Sequence, residues 1–134
     1  MKVIPEIAAR HAVHRSWRHE IHRHPELAYQ EQRTADLVVR LLEAAGIPYV
    51  RGLGRTGVVA TIEGRAPGKR VGLRADMDAL PLQEMNDFAH RSEREGVMHA
   101  CGHDGHTVML LAAAEHLAAQ RDFDGTVHCI FQPA

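Results

Sequence analysis

Val58-Val59-Ala60-Thr61-Ile62-Glu63, the turn Gly64-Arg65-Ala66-Pro67-Gly68 and then Arg70-Val71-Gly72-Leu73-Arg74-Ala75 form the stretch on which the fold reading rests. Aliphatic and β-branched residues fill both outer pieces, and Gly and Pro punctuate the middle. That pattern predicts two strands over 58–63 and 70–75. It also settles the string just upstream, Gly52-Leu53-Gly54-Arg55-Thr56-Gly57, which matches GxGxxG and has Asp76 lying 19 residues past its last glycine. A dinucleotide fingerprint needs a strand before the glycines and a helix N-terminus after them, where the pyrophosphate sits. Here a strand follows, so the string reads as a glycine-rich turn.

Outward from this stretch, apolar spacing predicts three helices and one more strand. Residues 4–24 carry Val13, Trp17 and Ile21 at i, i+4, i+8, and His24-Pro25 ends the run because the residue before proline is pushed out of the α region. Residues 31–45 place Ala35, Val38, Val39 and Leu42 on one face, with Gly46 and Pro48 as stop signals. Residues 106–119 are apolar on most sides from Val108 to Ala114, which predicts a buried helix. Thr126–Gln132 alternates Val127, Cys129 and Phe131 on one face of a strand. The fold class that results is α/β, a layered sheet with flanking helices.

The 134 residues suffice for one domain with a core, and 45% hydrophobic with 25% charged residues is an ordinary globular balance. No run approaches the roughly 20 apolar residues that cross a bilayer. A net charge of −1 gives no overall electrostatic case for nucleic acid or an anionic membrane. The N-terminal stretch from Met1 to Glu20 lacks the apolar core of a secretory signal. Two cysteines, Cys101 and Cys129, are too few for a disulfide scaffold, so a cytoplasmic protein with reduced thiols is expected.

Eleven histidines are the compositional excess, and they point to metal. His19-Glu20-Ile21-His22-Arg23 approaches HExxH, but its second histidine comes one position early and a cation fills the ligand position. His11, His14, His19 and His22 are therefore expected as partly exposed positions on an amphipathic helix. The chemistry concentrates instead in Met98-His99-Ala100-Cys101-Gly102-His103-Asp104-Gly105-His106-Thr107. Cys and His suit borderline metals, the glycines at 102 and 105 allow a bend that converges side chains, and Asp104 could cap the following helix. Against metal binding stands a polar loop capping a helix, with Cys101 merely buried. A nucleophilic Cys–His pair is the competing chemistry, and it lacks a defined base. A second cluster, Asp76 and Asp78, lies at the C-terminal end of a predicted strand, where α/β sheets gather ligands. These acids either orient a ligand or serve a turn.

Leu73-Arg74-Ala75-Asp76-Met77-Asp78-Ala79-Leu80-Pro81 and Gly96 to Thr107 resemble the signatures of the M20 metallopeptidase family. With His22-Arg23-His24-Pro25-Glu26-Leu27 and Ile130-Phe131-Gln132-Pro133-Ala134, they resemble its amidohydrolase branch, which includes hippurate and auxin–amino acid conjugate hydrolases. The resemblance implies a catalytic domain of the zinc-dependent exopeptidase type and hydrolysis of the amide bond of small N-acyl amino acids or related conjugates. It implies two divalent ions, Mn or Zn, per complete subunit, with Cys101 and His103 as metal ligands. Asp78 would be the catalytic-site acid that orients a ligand, while Asp76 and His106 have less certain supporting roles. A complete protein could self-associate. The family continues past Gln-Pro-Ala with adjacent glutamates, so residues 1–134 are expected to be the N-terminal part of the catalytic domain, without the lid domain. The alternative is a truncated, catalytically dead fragment that serves at most as a binding piece.

Overall fold

The computed structural model describes residues 3–134; Met1 and Lys2, at the head of the stretch read as lacking a secretory core, lie outside the described residues. Helices α1 (Pro5–Ala9), α2 (His11–Arg23) and α3 (Gln32–Ala44) precede strands β1 (Tyr49–Leu53), β2 (Gly57–Glu63) and β3 (Arg70–Asp76). Helix α4 (His103–Gln120) and strand β4 (Thr126–Gln132) complete the order. The single helix expected over 4–24 is two, parted at Arg10, whose backbone leaves the helical region.

The four strands form one mixed sheet in the order β1-β2-β4-β3, with β1/β2 and β2/β4 antiparallel and β3/β4 parallel. Strand β1 was not expected from the sequence. Gly52, at φ +89°, sits at a register shift between Arg51 and Leu53, and four of the five β1 residues are exposed, so neither alternation nor burial advertises the strand. The GxGxxG string is thus the end and turn of a β1–β2 hairpin, in agreement with the exclusion of a dinucleotide site.

One sheet face carries the core. Val58, Ala60 and Ile62 of β2 and Val127, Cys129 and Phe131 of β4 pack with Ala75, with Ala35, Val38 and Leu42 of α3, and with Leu110, Leu111 and Ala114 of α4. At about 25 cal/mol per Å² of apolar surface removed from water, such layers supply the main favourable term in folding. Helix α2 packs on α4, outside this layer. The parallel pairing of β3 with β4 brings their carboxyl ends, Asp76 and Gln132, side by side. Residues 77–102 run from that edge to the start of α4, tied down by the bridges Leu27–Ala79 and Leu80–Met98. Among the described residues no helix is long and apolar enough to cross a membrane.

Candidate metal centre

Helix α4 starts three residues earlier than the apolar pattern predicts, so His103 and Asp104 belong to its first turn rather than to a loop. Gly102 is the N-cap at φ +78°, a conformation that L side chains rarely adopt. Gly105 lies inside the helix and makes no bend, contrary to the role expected of it. Asp104 makes no capping hydrogen bond either; it is fully buried and turned toward α2. Positions 103 and 106 share one helical face because they are three apart. Their rings lie 5.5 Å apart, centroid to centroid.

That face meets the end of β3. The Nδ1 atoms of both histidines lie against carboxylates, His106 on Asp76 Oδ1 at 2.7 Å and His103 on Asp78 Oδ1 at 2.8 Å. Carboxylates at neutral pH only accept, so each Nδ1 carries the hydrogen. The other ring nitrogen of His103, Nε2, faces Asp76 Oδ2 at 3.6 Å. Asp76 Oδ2 also accepts from Arg74 Nη1 at 2.9 Å, and Arg74 Nε reaches Gln132 Oε1 at 3.1 Å. Thr107 Oγ1 donates to the Asp76 carbonyl at 3.0 Å, pinning the helix to the strand end. Burial works to raise the Asp76 carboxyl, but the His106 hydrogen bond and the His103 and Arg74 charges outweigh it and hold the group below its ordinary range.

Asp76, His103 and His106 each offer one donor atom, and the three lie within 4.8 Å of one another. A carboxylate with two imidazoles is a donor set suited to borderline divalent ions. The arrangement of Asp78 behind His103 is the outer hydrogen bond that fixes a ligating imidazole's tautomer and ring orientation. The residues present therefore fit a metal ion. Cys101 is exposed in the turn just before α4 and stands outside this group of three. His106, singled out in the sequence only as a supporting residue, is brought into the donor group. Arg74 and Thr107 were not singled out; Thr107 could have been found from its position one turn after His103.

The histidines of α2 require a correction. His11 is exposed, but His14 and His22 are buried, because each has found an acid on another element. His14 Nε2 meets Glu115 Oε2 at 3.2 Å, and His22 meets Asp104 and Glu84.

Fold and donor group together define the class, a layered α/β domain with a candidate metal centre at the carboxyl ends of its parallel strands. Residues 72–134 match the model of peptidase family M20/M25/M40. The hippurate hydrolase of Campylobacter jejuni is 48% identical over all 134 residues, which span 35% of that protein. An N-acyl-L-amino acid amidohydrolase of Geobacillus stearothermophilus is 47% identical over 120 residues, 89% of this chain and 32% of the relative. The crystal structure of Bacillus subtilis YXEP, described as a dinuclear metal-binding peptidase from the M20 family, superposes with a TM-score of 0.91 at 42% identity. That superposition covers 95% of this chain and 36% of YXEP. The chain is thus similar over nearly its whole length to amidohydrolases and to a peptidase of the M20 family. It spans about a third of the length of these relatives.

Proposed function

We propose that the protein is a metal-dependent amidohydrolase that cleaves the amide bond of N-acyl amino acids or related conjugates. The observation that carries this reading is the line Asp78–His103–Asp76, in which one acid fixes the imidazole and the other shares its open nitrogen's side. The names of the relatives, a hippurate hydrolase and an N-acyl-L-amino acid amidohydrolase, support the substrate class. Residues 1–134 are assigned to the first part of the catalytic domain.

His103 and Asp76 hold the metal in this reading, with His106 beside them and Cys101 as a further ligand from the turn before α4. Two divalent ions per complete subunit are assigned, as the description of YXEP supports. Imidazole and thiolate donors favour Zn, and the carboxylate is compatible with Mn. When bound, such ions act as Lewis acids on an amide carbonyl and generate a nucleophile at neutral pH. Asp78 orients His103, and Arg74 holds Asp76 in place. Proton transfer is assigned to none of these residues. Two free thiols support a reducing, cytoplasmic setting, and the near-neutral charge supports a small molecule rather than nucleic acid or membrane as partner.

The test uses the protein expressed from its full reading frame, with N-benzoylglycine as substrate. Glycine release is expected with Mn²⁺ or Zn²⁺, and it should be lost on chelation and in His103→Ala. Hydrolysis that survives both rejects the proposal.

A further inference from the structure

His22 lies in the string that first looked like a metal motif, and its environment gives it a different task. Its Nδ1 is 2.8 Å from Asp104 Oδ2 and its Nε2 is 3.1 Å from Glu84 Oε1. The three side chains are 5%, 0% and 2% exposed. Both partners are carboxylates, which accept only, so both ring nitrogens must carry hydrogen and the ring is an imidazolium. Arg18 Nε adds a second cation on Asp104 at 3.0 Å. Two acids then face two cations, and this balance makes so dry a cluster tolerable. The other rings around His22 are Phe88, His90 and His99, at 5.8, 5.5 and 6.3 Å between centroids.

The connections matter more than the charges. Asp104 directly follows His103 in the first turn of α4. Glu84 organises the long segment that leads to that turn: it accepts from Ser92 N at 2.6 Å and Asn86 Nδ2 at 2.9 Å. The stretch between residues 84 and 104 therefore starts and finishes on one imidazole ring, and it contains Cys101 and His103. On the far side of the turn, Thr107 pins α4 to the end of β3. Two anchors thus bracket the histidine pair. Thr107 sets its distance from Asp76, and Asp104, through His22, sets its rotation about the helix axis.

We propose that His22 is a positioning residue, whose paired hydrogen bonds to Asp104 and Glu84 fix the first turn of α4 and so place His103 and His106 for metal binding. This rests on the metal-centre reading above. A partner that orients a metal ligand is worth about 10- to 100-fold in metal affinity when removed. A ring that merely fills space would cost stability and leave the metal alone.

The experiment titrates Co²⁺ into the protein expressed from its full reading frame and reads affinity, visible absorption and thermal midpoint. His22→Gln is expected to bind Co²⁺ at least about tenfold more weakly, with an altered absorption envelope. Ile62→Ala is the control, at the far end of β2 where it pairs with Val127. It should lower the midpoint and leave affinity and spectrum unchanged. Parent affinity and spectrum in His22→Gln overturn the proposal, as does an equal loss in Ile62→Ala. If His22→Gln does not fold, Glu84→Ala decides by the same criterion, since it removes the bond at Nε2 and leaves the bond to Asp104. His103→Ala separates the two readings: if it binds Co²⁺ like the parent, the metal centre itself is rejected and this proposal with it.

Discussion

Asp78 holds the Nδ1 edge of His103 twice, through its carboxylate at 2.8 Å and its own carbonyl at 3.0 Å. The ring cannot rotate without losing both, so Nε2 stays turned toward Asp76. Removing the carboxylate frees the ring and its tautomer together. Asp78→Ala is expected to weaken metal binding by about 10- to 100-fold, and Asp78→Asn, which keeps an acceptor but no charge, by less. Competition with a chelator of known affinity measures both. An Asp78→Ala protein with parent affinity removes the orienting role.

Two glycines near the site should respond to alanine with opposite signs. Gly102 stands at φ +78°, where a β-carbon costs about 1–2 kcal/mol whatever the space around it. Gly105 is helical, and a β-carbon there meets nothing nearer than Arg18 Nε at 4.0 Å. Gly105→Ala should therefore stabilise by about 0.5–1 kcal/mol, through the helix propensity it gains. Chemical denaturation of each variant checks the pair, and destabilisation by Gly105→Ala contradicts the helical placement.

The contrast between those glycines shows what the sequence could and could not convey. Strands β2, β3 and β4 were legible within one residue: the apolar and β-branched runs of β2 and β4 are buried on the core face, and β3, buried only at Ala75, keeps the apolar alternation Val71, Leu73, Ala75. Helix α4 was placed late by three residues because its first turn is polar: His103, Asp104 and His106 find their partners on β3, α2 and the turn after β3, none of which a helical period reveals. The same reason hid the burial of His14 and His22. A histidine looks like surface until the acid that neutralises it is known, and those acids stand 101, 82 and 62 positions away. Asp76 and Asp78 were legible as a site from their place at a strand end, while their division of labour needed the rings opposite them.

Stability should depend on pH through two histidines that act in opposite directions. Burial drives the His99 imidazole to its neutral form, more strongly than the Asp104 charge favours the cation, and its pKa falls from 6.5 to about 4. Between those values the unfolded chain binds a proton that the folded chain refuses, so stability is lost as pH falls through this window. At 1.36 kcal/mol per pKa unit this amounts to about 3 kcal/mol. His22 has its pKa raised, by the Asp104 hydrogen bond first and by Glu84 as well, against the opposing effect of burial. Its contribution is full below about 6.5 and lost as pH rises through the folded value. Thermal midpoints measured from pH 4 to 9 should fall on both sides. In His99→Leu the acid-side slope should flatten and the alkaline side persist; an unchanged acid slope assigns the effect to other groups.

The two cysteines should differ in reactivity, and that difference reports on the metal site without any assay of turnover. Cys129 is buried in β4, and burial pushes its thiol up to about 11, so at pH 8 it is almost entirely protonated as well as inaccessible. Cys101 is exposed in the turn before His103. Iodoacetamide attacks the accessible thiolate, so the metal-free native protein should take up one label, at Cys101. If Cys101 ligates a metal, adding Zn²⁺ must slow that labelling, because the sulfur lone pairs are then engaged. Mass spectrometry of the labelled peptide against time, with and without Zn²⁺, measures the protection directly. Protection should weaken in His103→Ala, which removes the co-ligand two residues from Cys101. Equal labelling rates with and without Zn²⁺ in the parent protein would take Cys101 out of the ligand set and leave Asp76, His103 and His106 as the donors this chain supplies.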